Sequence, residues 1–422
     1  MKKTFVAIFL LMALLLQSFA LTACNSEDEN NAVTDQTEEN STQNPTEKPT
    51  EKPTEKPTEK PTEAPAGDSE NSENKEDTDE GADIGGEEIE KNEDDEKKAQ
   101  IEELLTLRHE LRADEYGNFK VLILSDIQGG NSHIEIPDSV LANIETVVKR
   151  EDPDLVVFNG DNCHGIKKEE DLRQYLYYMT GYLEANKIPW AHVYGNHDNE
   201  GGISKERQSE IYSEFEYCMS KVGNVSGVGN YVLPVLSHDG SKIMYNVWCL
   251  DSHCYTDLPE EINVTLQNGV YFKGKYDYIK QDQIDWYVES SKLLEEYNEA
   301  EIPAIMAFHI PLQETGHAWL VKDSSNLEYT GSKHENGGFS AINSGLFAAV
   351  LGRGDVKAIV NGHDHVNDFM VKYHGVMLCY SSTVSTMSYH RAEMLGARVF
   401  KFNDDGEPVT TYMSYIDENY GK

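Results

Sequence analysis

Five short apolar runs in this chain each lead into a residue that can bind a cation, and that coincidence restricts the folds open to it. The runs span residues 121–124, 155–158, 190–194, 304–308 and 356–360. They precede Asp126, Gly160-Asp161-Asn162, Gly195-Asn196-His197-Asp198, His309 and Gly362-His363-Asp364-His365. Short, continuous apolar runs are the pattern of strands buried on both faces. In open α/β sheets chemistry gathers at the carboxyl ends of the strands, where loops converge on one crevice. A lone His after an apolar strand is usually structural, but five such groups in register imply a shared site.

Amphipathic stretches at 139–150, 171–186 and 205–221 separate the first strands, which is the βαβ alternation. A short leading helix is expected over 99–111. From residue 230 the pattern changes. Residues 231–236 and 243–250 read as strands joined around Asp239-Gly240, a good hairpin turn. Helices are expected at 281–297 and 340–351, and late strands at 370–380 and 397–402. The expected fold class is α/β in the sandwich sense, two packed mixed β-sheets with helices outside, in one domain over residues 101–422.

The chain opens with Lys2 and Lys3, an apolar stretch from Phe5 to Leu16, and Leu21-Thr22-Ala23-Cys24. Residues 1–23 read as a signal peptide rather than a membrane span. The four residues ending at Cys24 resemble the lipobox of bacterial lipoproteins, which implies cleavage before Cys24 and lipid attachment there; ordinary secretion with a free thiol is the alternative. Residues 24–100 are poor in large apolar side chains and carry a Pro-Thr-Glu-Lys repeat from Pro45. Such a segment cannot bury enough surface to offset ordering entropy, and it reads as a disordered acidic tether reaching on the order of 50 Å. The expected location is extracytoplasmic, at the cell surface, anchored to a membrane through lipid.

Formal charge is −39. Residues 25–100 hold 26 acidic against 8 basic residues, and the part from residue 101 on still carries −23. That balance argues against a nucleic-acid partner, since phosphate contacts need Lys and Arg. It argues less against small phosphorylated substrates, because bound cations dominate a local field. Beyond Cys24 the cysteines are Cys163, Cys218, Cys249, Cys254 and Cys379, an odd number without zinc-type spacing, so no pairing is assumed.

The ordered motifs, from Asp126 through Gly362-His363-Asp364-His365, resemble the signature of calcineurin-like metallophosphoesterases over about residues 119–366. Residues 193–199, 227–231 and 309–311 are most similar to the branch related to purple acid phosphatases. The resemblance implies a four-layer architecture and a hydrolase of phosphate esters with two divalent or mixed-valence metal ions. It implies Asp161 as the bridge, Asp126 and His365 on one metal, and Asn196, His309 and His363 on the other. His197 would assist the leaving oxygen. Carboxylate, amide oxygen and imidazole together suit Mn, Fe or Zn better than Ca. Asp198 either orients an imidazole or is a loop carboxylate satisfied by backbone amides.

One departure stands out: the family pattern Asp-x-His is Asp126-Ile127-Gln128 here. Gln128 offers a weaker neutral oxygen. His164, three residues after Asp161, stands where the purple acid phosphatase pattern places a metal-binding Tyr, and is either the replacement ligand or a loop His meeting solvent. His253, His133 and His317 are further candidates for the cleft, while mid-strand His192 is expected to pack. Trp319, Tyr329 and residues 331–339 lie where loops can confer selectivity. Gln128 also motivates an alternative, a catalytically weakened metal- or phosphate-binding surface protein. A surface interaction module built around the tether leaves the ordered ligands unexplained. Cys24→Ser should move the protein out of the membrane fraction without changing the activity of the folded domain; unaltered membrane association contradicts the lipid anchor.

Overall fold

The structure, a computed structural model, describes residues 85–420 apart from 131–133, 258, 260–274 and 405. The signal peptide, Cys24, the Pro-Thr-Glu-Lys repeats and His133 lie outside the described residues. The first described element is the helix Gly85–Leu105. It starts within the segment read as tether because residues 87–104 are mostly Glu, Asp, Lys, Ala and Leu without Pro, and several of these are strong helix formers. It ends before the residue expected, since Leu111–Arg112 form a short strand, β1.

The strands that follow are β2 (Phe119–Leu124), β3 (Gly129–Gly130), β4 (Leu155–Asn159), β5 (Cys163–His164), β6 (Trp190–Val193), β7 (Tyr231–Leu236) and β8 (Ile243–Cys249). After them come β9 (Ala304–Ala307), β10 (Tyr329–Thr330), β11 (Val356–Asn361), β12 (Met370–Tyr373), β13 (Val376–Tyr380), β14 (Gly396–Asp404) and β15 (Glu407–Tyr415). One sheet has eight strands in the order β1-β7-β8-β9-β11-β13-β12-β10, the other five in the order β15-β14-β2-β4-β6, and β3 pairs with β5 separately. Both large sheets are mixed. In one, β2, β4 and β6 run parallel while β14 is antiparallel to β2. In the other, β8, β9, β11 and β13 run parallel while β7 and β12 are antiparallel to their neighbours.

The strands are apolar on both faces because both faces are covered. Val121, Ile123, Leu155 and Val157 point into a core shared with Val247, Ile305, Ala307 and Val360 of the opposite sheet. Their neighbours Leu122, Leu124, Val156 and Phe158 pack against the helices Asp138–Glu151 and Glu169–Asn186. On the far side Ala304, Met306 and Ile359 pack under the helices Gln281–Asn298 and Leu346–Arg353. Helix, sheet, sheet and helix make the four layers expected.

Three further elements differ from the sequence reading. The helix expected over 205–221 stops at Tyr212. The single late strand is a hairpin, β12 and β13, turning at His374 and Gly375, both with positive φ. The helix expected from 340 begins at Leu346, after Gly345 at φ 83°. The five cysteines Cys163, Cys218, Cys249, Cys254 and Cys379 are all free.

His192 packs mid-strand as expected. Its ring stacks on Tyr212 with centroids 3.6 Å apart, and its Nδ1 lies 2.8 Å from Ser220 Oγ. Burial pushes its pKa down to about 3. An unfolded His titrates near 6.5, so below that pH the unfolded chain binds a proton that the folded one refuses. Stability therefore falls as pH drops from about 6.5 towards 3, by about 1.4 kcal/mol per pH unit. His192→Phe, which keeps the stack, should flatten the slope of unfolding free energy by about one proton between pH 6 and 4 in urea titrations. An unchanged slope would show that this ring takes up a proton in the folded state.

Candidate metal centre

Each motif sits just beyond the carboxyl end of its strand, and the two sheets bring their ends together. From the five-strand sheet come Asp126 after β2, Asp161 after β4 and Asn196 after β6; from the eight-strand sheet come His309 after β9 and His363 and His365 after β11. The turns that aim them are tight. Asp126, Gln128, Asp161 and His363 all have left-handed backbone, with φ of 57°, 47°, 50° and 73°. Such conformations cost about 1–3 kcal/mol each and persist where surroundings enforce them. Here backbone hydrogen bonds do so: Asp126 N donates to Gly160 O, Gln128 N to Asp161 O and Gly362 N to His309 O. Gly195 is required by close approach, since a Cβ there would fall 2.2 Å from Asp161 Oδ1.

Two triads result, Asp126-Asp161-His365 and Asp161-His309-His363, each with one ligand atom per residue within 4.8 Å of the others. Asp161 belongs to both. All five residues are buried, Asp126 and His309 completely. His309 Nε2 lies 3.2 Å from Asp161 Oδ2, and His365 Nε2 lies 3.4 Å from Asp126 Oδ1. The far nitrogens are fixed: His309 Nδ1 donates to Asn159 O at 2.9 Å, and His365 Nδ1 to Tyr389 O at 2.8 Å. That arrangement orients each ring and leaves Nε2 for a cation, as outer hydrogen bonds do in metal sites.

Burial by itself would raise the pKa of both carboxylates, but His365 and His309 hold Asp126 below the usual range and His309 holds Asp161 far below it. Burial pushes His363 down to about 3, with His309 adding to it. His309 rises to about 10 against its burial, because Asp161 and Asp126 demand positive charge at its Nε2. The residues fit metal ions. His309 Nε2 and Asn196 Oδ1 are buried and have no hydrogen-bond partner, while Asn196 Nδ2 is engaged with Tyr255 Oη at 3.2 Å. A buried imidazole nitrogen beside two carboxylates and a buried amide oxygen, neither of them hydrogen-bonded, are donor atoms suited to a cation.

The structure brings Asp126, Asp161, His309, His363 and His365 together in the two triads, while Asn196 follows β6 with its Nδ2 on Tyr255. His164, read as either a replacement ligand or a loop His, belongs to neither triad: β5 carries it to Glu200, its Nε2 2.7 Å from Oε2. Gln128 does reach the centre, its Nε2 donating to Asp161 Oδ2 at 2.8 Å. Asp198 does not touch the His197 ring. Its carboxylate accepts from Cys163 N at 2.9 Å and Gly195 N at 2.7 Å, so it is the loop clamp of the two readings. His253 is turned away by its contact with Gln283, 2.8 Å from Nε2 to Oε1. Trp319 packs on Phe369 and Tyr329, and His317 lies beside Tyr373, so these form part of the outer packing.

Over the centre lies a cleft of about 670 Å³ lined by His197, His164, Tyr276, Glu335, Tyr389 and Gln128 among others. The 331–339 loop reaches it as expected, held by Gly338 N donating to Asp364 Oδ1 at 3.0 Å. Glu200, Tyr276, Glu335 and Tyr389 were missed. Tyr389 stacks on His365 with centroids 4.0 Å apart and planes 3° from parallel. Only Glu200 left a sequence signal, standing three residues after His197 and so on the same side of a helical turn.

Residues 119–367 match the family described as calcineurin-like phosphoesterase. Among curated proteins, the chain is 30% identical to "Probable inactive purple acid phosphatase 14" of Arabidopsis thaliana, over 67% of this chain and 74% of that one. It is 31% identical to "Probable inactive purple acid phosphatase 29" of the same plant, over 68% and 76%. It is 28% identical to "Phosphatase DCR2" of Saccharomyces cerevisiae, over 64% of this chain and 48% of the yeast protein.

Because Asp161 is shared, Asp161→Asn should weaken metal binding at both triads together, by roughly tenfold or more, whereas His309→Ala should weaken one. Chelator-competition titrations separate the two. Loss at a single site in Asp161→Asn would show that the carboxylate does not bridge.

Proposed function

Because the chain belongs to the calcineurin-like phosphoesterase family, we propose that it hydrolyses phosphate esters at the centre built around Asp161. The observation that carries this reading is one buried carboxylate common to two ligand triads, with Asn196 Oδ1 and His309 Nε2 buried and not hydrogen-bonded. Asp126, Asp161 and His365 would hold one cation, with Gln128 in reach, and Asp161, Asn196, His309 and His363 the other. When bound, such a pair of Mn, Fe or Zn ions polarises a phosphoryl oxygen and lowers the pKa of an attacking water.

The protein's own groups then position and protonate. His197 N donates to Asp161 Oδ1 at 2.8 Å, which fixes the residue against the centre. Its ring lines the cleft with Nε2 4.0 Å from Asp161 Oδ2, facing the space a phosphoryl group would fill. A proton or hydrogen bond from Nε2 to the leaving oxygen is the role that position allows. Among the described residues lining the cleft none is Lys or Arg, and Glu335 and Asp364 are among them. Small esters with little charge beyond one phosphoryl group therefore suit it better than polyphosphates.

A second reading is a protein on the same fold that binds metal or phosphate with little turnover. Gln128 favours it, since an amide stands where the family pattern has imidazole and donates to Asp161. Both plant relatives named above also carry the word inactive in their names. Two metals with no turnover on any ester would decide for it. For location, we propose the lipid-anchored, extracytoplasmic placement that residues 1–24 support; among the described residues no helix is long and apolar enough to cross a membrane.

A phosphate-release screen over monoesters, diesters and nucleotides, with Mn, Zn, Fe and Mg supplied in turn, tests the main reading; release with none of them contradicts it. Within that screen His197→Ala should keep both metals. Its kcat should fall on the order of a hundredfold for alkyl esters and little for activated aryl esters, which need scant proton donation. Equal losses on both would mean that His197 positions the substrate and donates no proton.

A further inference from the structure

Beside the two triads the cleft rim carries a second kind of cluster, made of His164 on β5, His197 and Glu200. One ligand atom from each lies within 4.8 Å of the others. None of the three belongs to the Asp161 triads. Glu200 Oε2 is 2.7 Å from His164 Nε2 and 3.1 Å from His197 Nδ1, and the two rings are 4.6 Å apart at 39°. The other oxygen of Glu200 is occupied, accepting from Tyr255 Oη at 2.8 Å. One carboxylate oxygen thus faces two imidazole nitrogens, held there from behind.

A plain hydrogen-bonded trio would satisfy those nitrogens. Here it does not. His197 Nδ1 is buried and makes no hydrogen bond, because its approach to Glu200 Oε2 has the distance of an ion pair without the direction of a hydrogen bond. A buried imidazole nitrogen within ion-pair distance of a carboxylate and close to a second imidazole, yet without a hydrogen bond, is a donor atom available to a cation. We propose that His164, His197 and Glu200 form a third cation site, for Zn²⁺, at the rim of the cleft and separate from the Asp161 centre.

The donor set is two imidazoles and one carboxylate, a set that holds zinc with a further position open to water. The side chains of His164 and Glu200 are 25% and 31% exposed, so solvent reaches the cluster and an ion can enter and leave without unfolding. The site has a chemical consequence. His197 presents Nδ1 to the rim and Nε2 to the Asp161 centre. A neutral imidazole carries one proton, and a cation on Nδ1 places that proton on Nε2, the nitrogen that faces the leaving group. The rim ion would therefore set the tautomer of His197.

The test uses Zn²⁺ itself and does not depend on turnover. Folded full-chain proteins are loaded with zinc, dialysed against a weak chelator, and assayed for bound zinc and its X-ray absorption spectrum. Wild type should retain one equivalent more than His164→Ala. Asp161→Asn, which disables the main centre, should retain one zinc bound by nitrogen and oxygen, and adding either His164→Ala or Glu200→Gln should lower that affinity at least tenfold. Glu200→Gln keeps the side chain's shape, so loss of zinc with unchanged melting behaviour excludes misfolding as the cause. Equal zinc in Asp161→Asn and in both double variants overturns the rim site. A failed Asp161 centre looks different: Asp161→Asn would then hold as much zinc as wild type, while His164→Ala would still lose one.

Discussion

Two carboxylates, Asp126 and Asp161, lie side by side almost wholly out of water, and buried negative charge of that kind persists only with positive charge beside it. In the absence of metal the demand falls on histidine: His309 is held protonated and His365 is pushed in the same direction. A divalent ion meets the same demand more completely, since it would bind both the carboxylates and the His309 Nε2 that makes no hydrogen bond. The rest of the site can be read as the structure needed to keep those charges in place. Left-handed turns aim the carboxylates inward, Gly195 leaves room for one of them, and backbone carbonyls lock the imidazoles from behind.

That arrangement ties chemistry to sheet packing. The carboxylates come from one sheet and the imidazoles from the other, so the centre exists only while the sheets stay packed in register. Asn159, the last residue of β4, is the strut between them. Its carbonyl accepts from His309, and its side-chain amide donates to Phe308 O and Val360 O at 3.4 and 3.3 Å. A one-residue slip in β4 would turn its core residues outward and move Asp161 from the crevice. The apolar core between the sheets, from Val121 and Val157 to Ile305 and Val360, opposes that slip.

The sequence made the strand ends legible because burial on both faces leaves an unmistakable apolar run, and a ligand after such a run has one place to go. Six candidate ligand residues followed from that and from family resemblance. The place of His164 was left open because β5 is two residues long and its pairing with β3 turns on a tertiary contact that no local pattern encodes. Asp198 and His253 looked like site residues by position, but the amide of Cys163 and the side chain of Gln283, which engage them, are distant in sequence. The hairpin at His374-Gly375 was hidden by apolar residues on both sides of the turn. Tyr276, Glu335 and Tyr389 reach the cleft from loops, where neither periodicity nor spacing carries information.

The most direct measurement of the central claim is anomalous diffraction from crystals grown with manganese or zinc, recorded at the metal's absorption edge. The account predicts two peaks flanking the Asp161 carboxylate about 3.5–4 Å apart, one beside Asp126 and His365, the other beside Asn196, His309 and His363. A single peak, or two peaks that do not share Asp161, would contradict it.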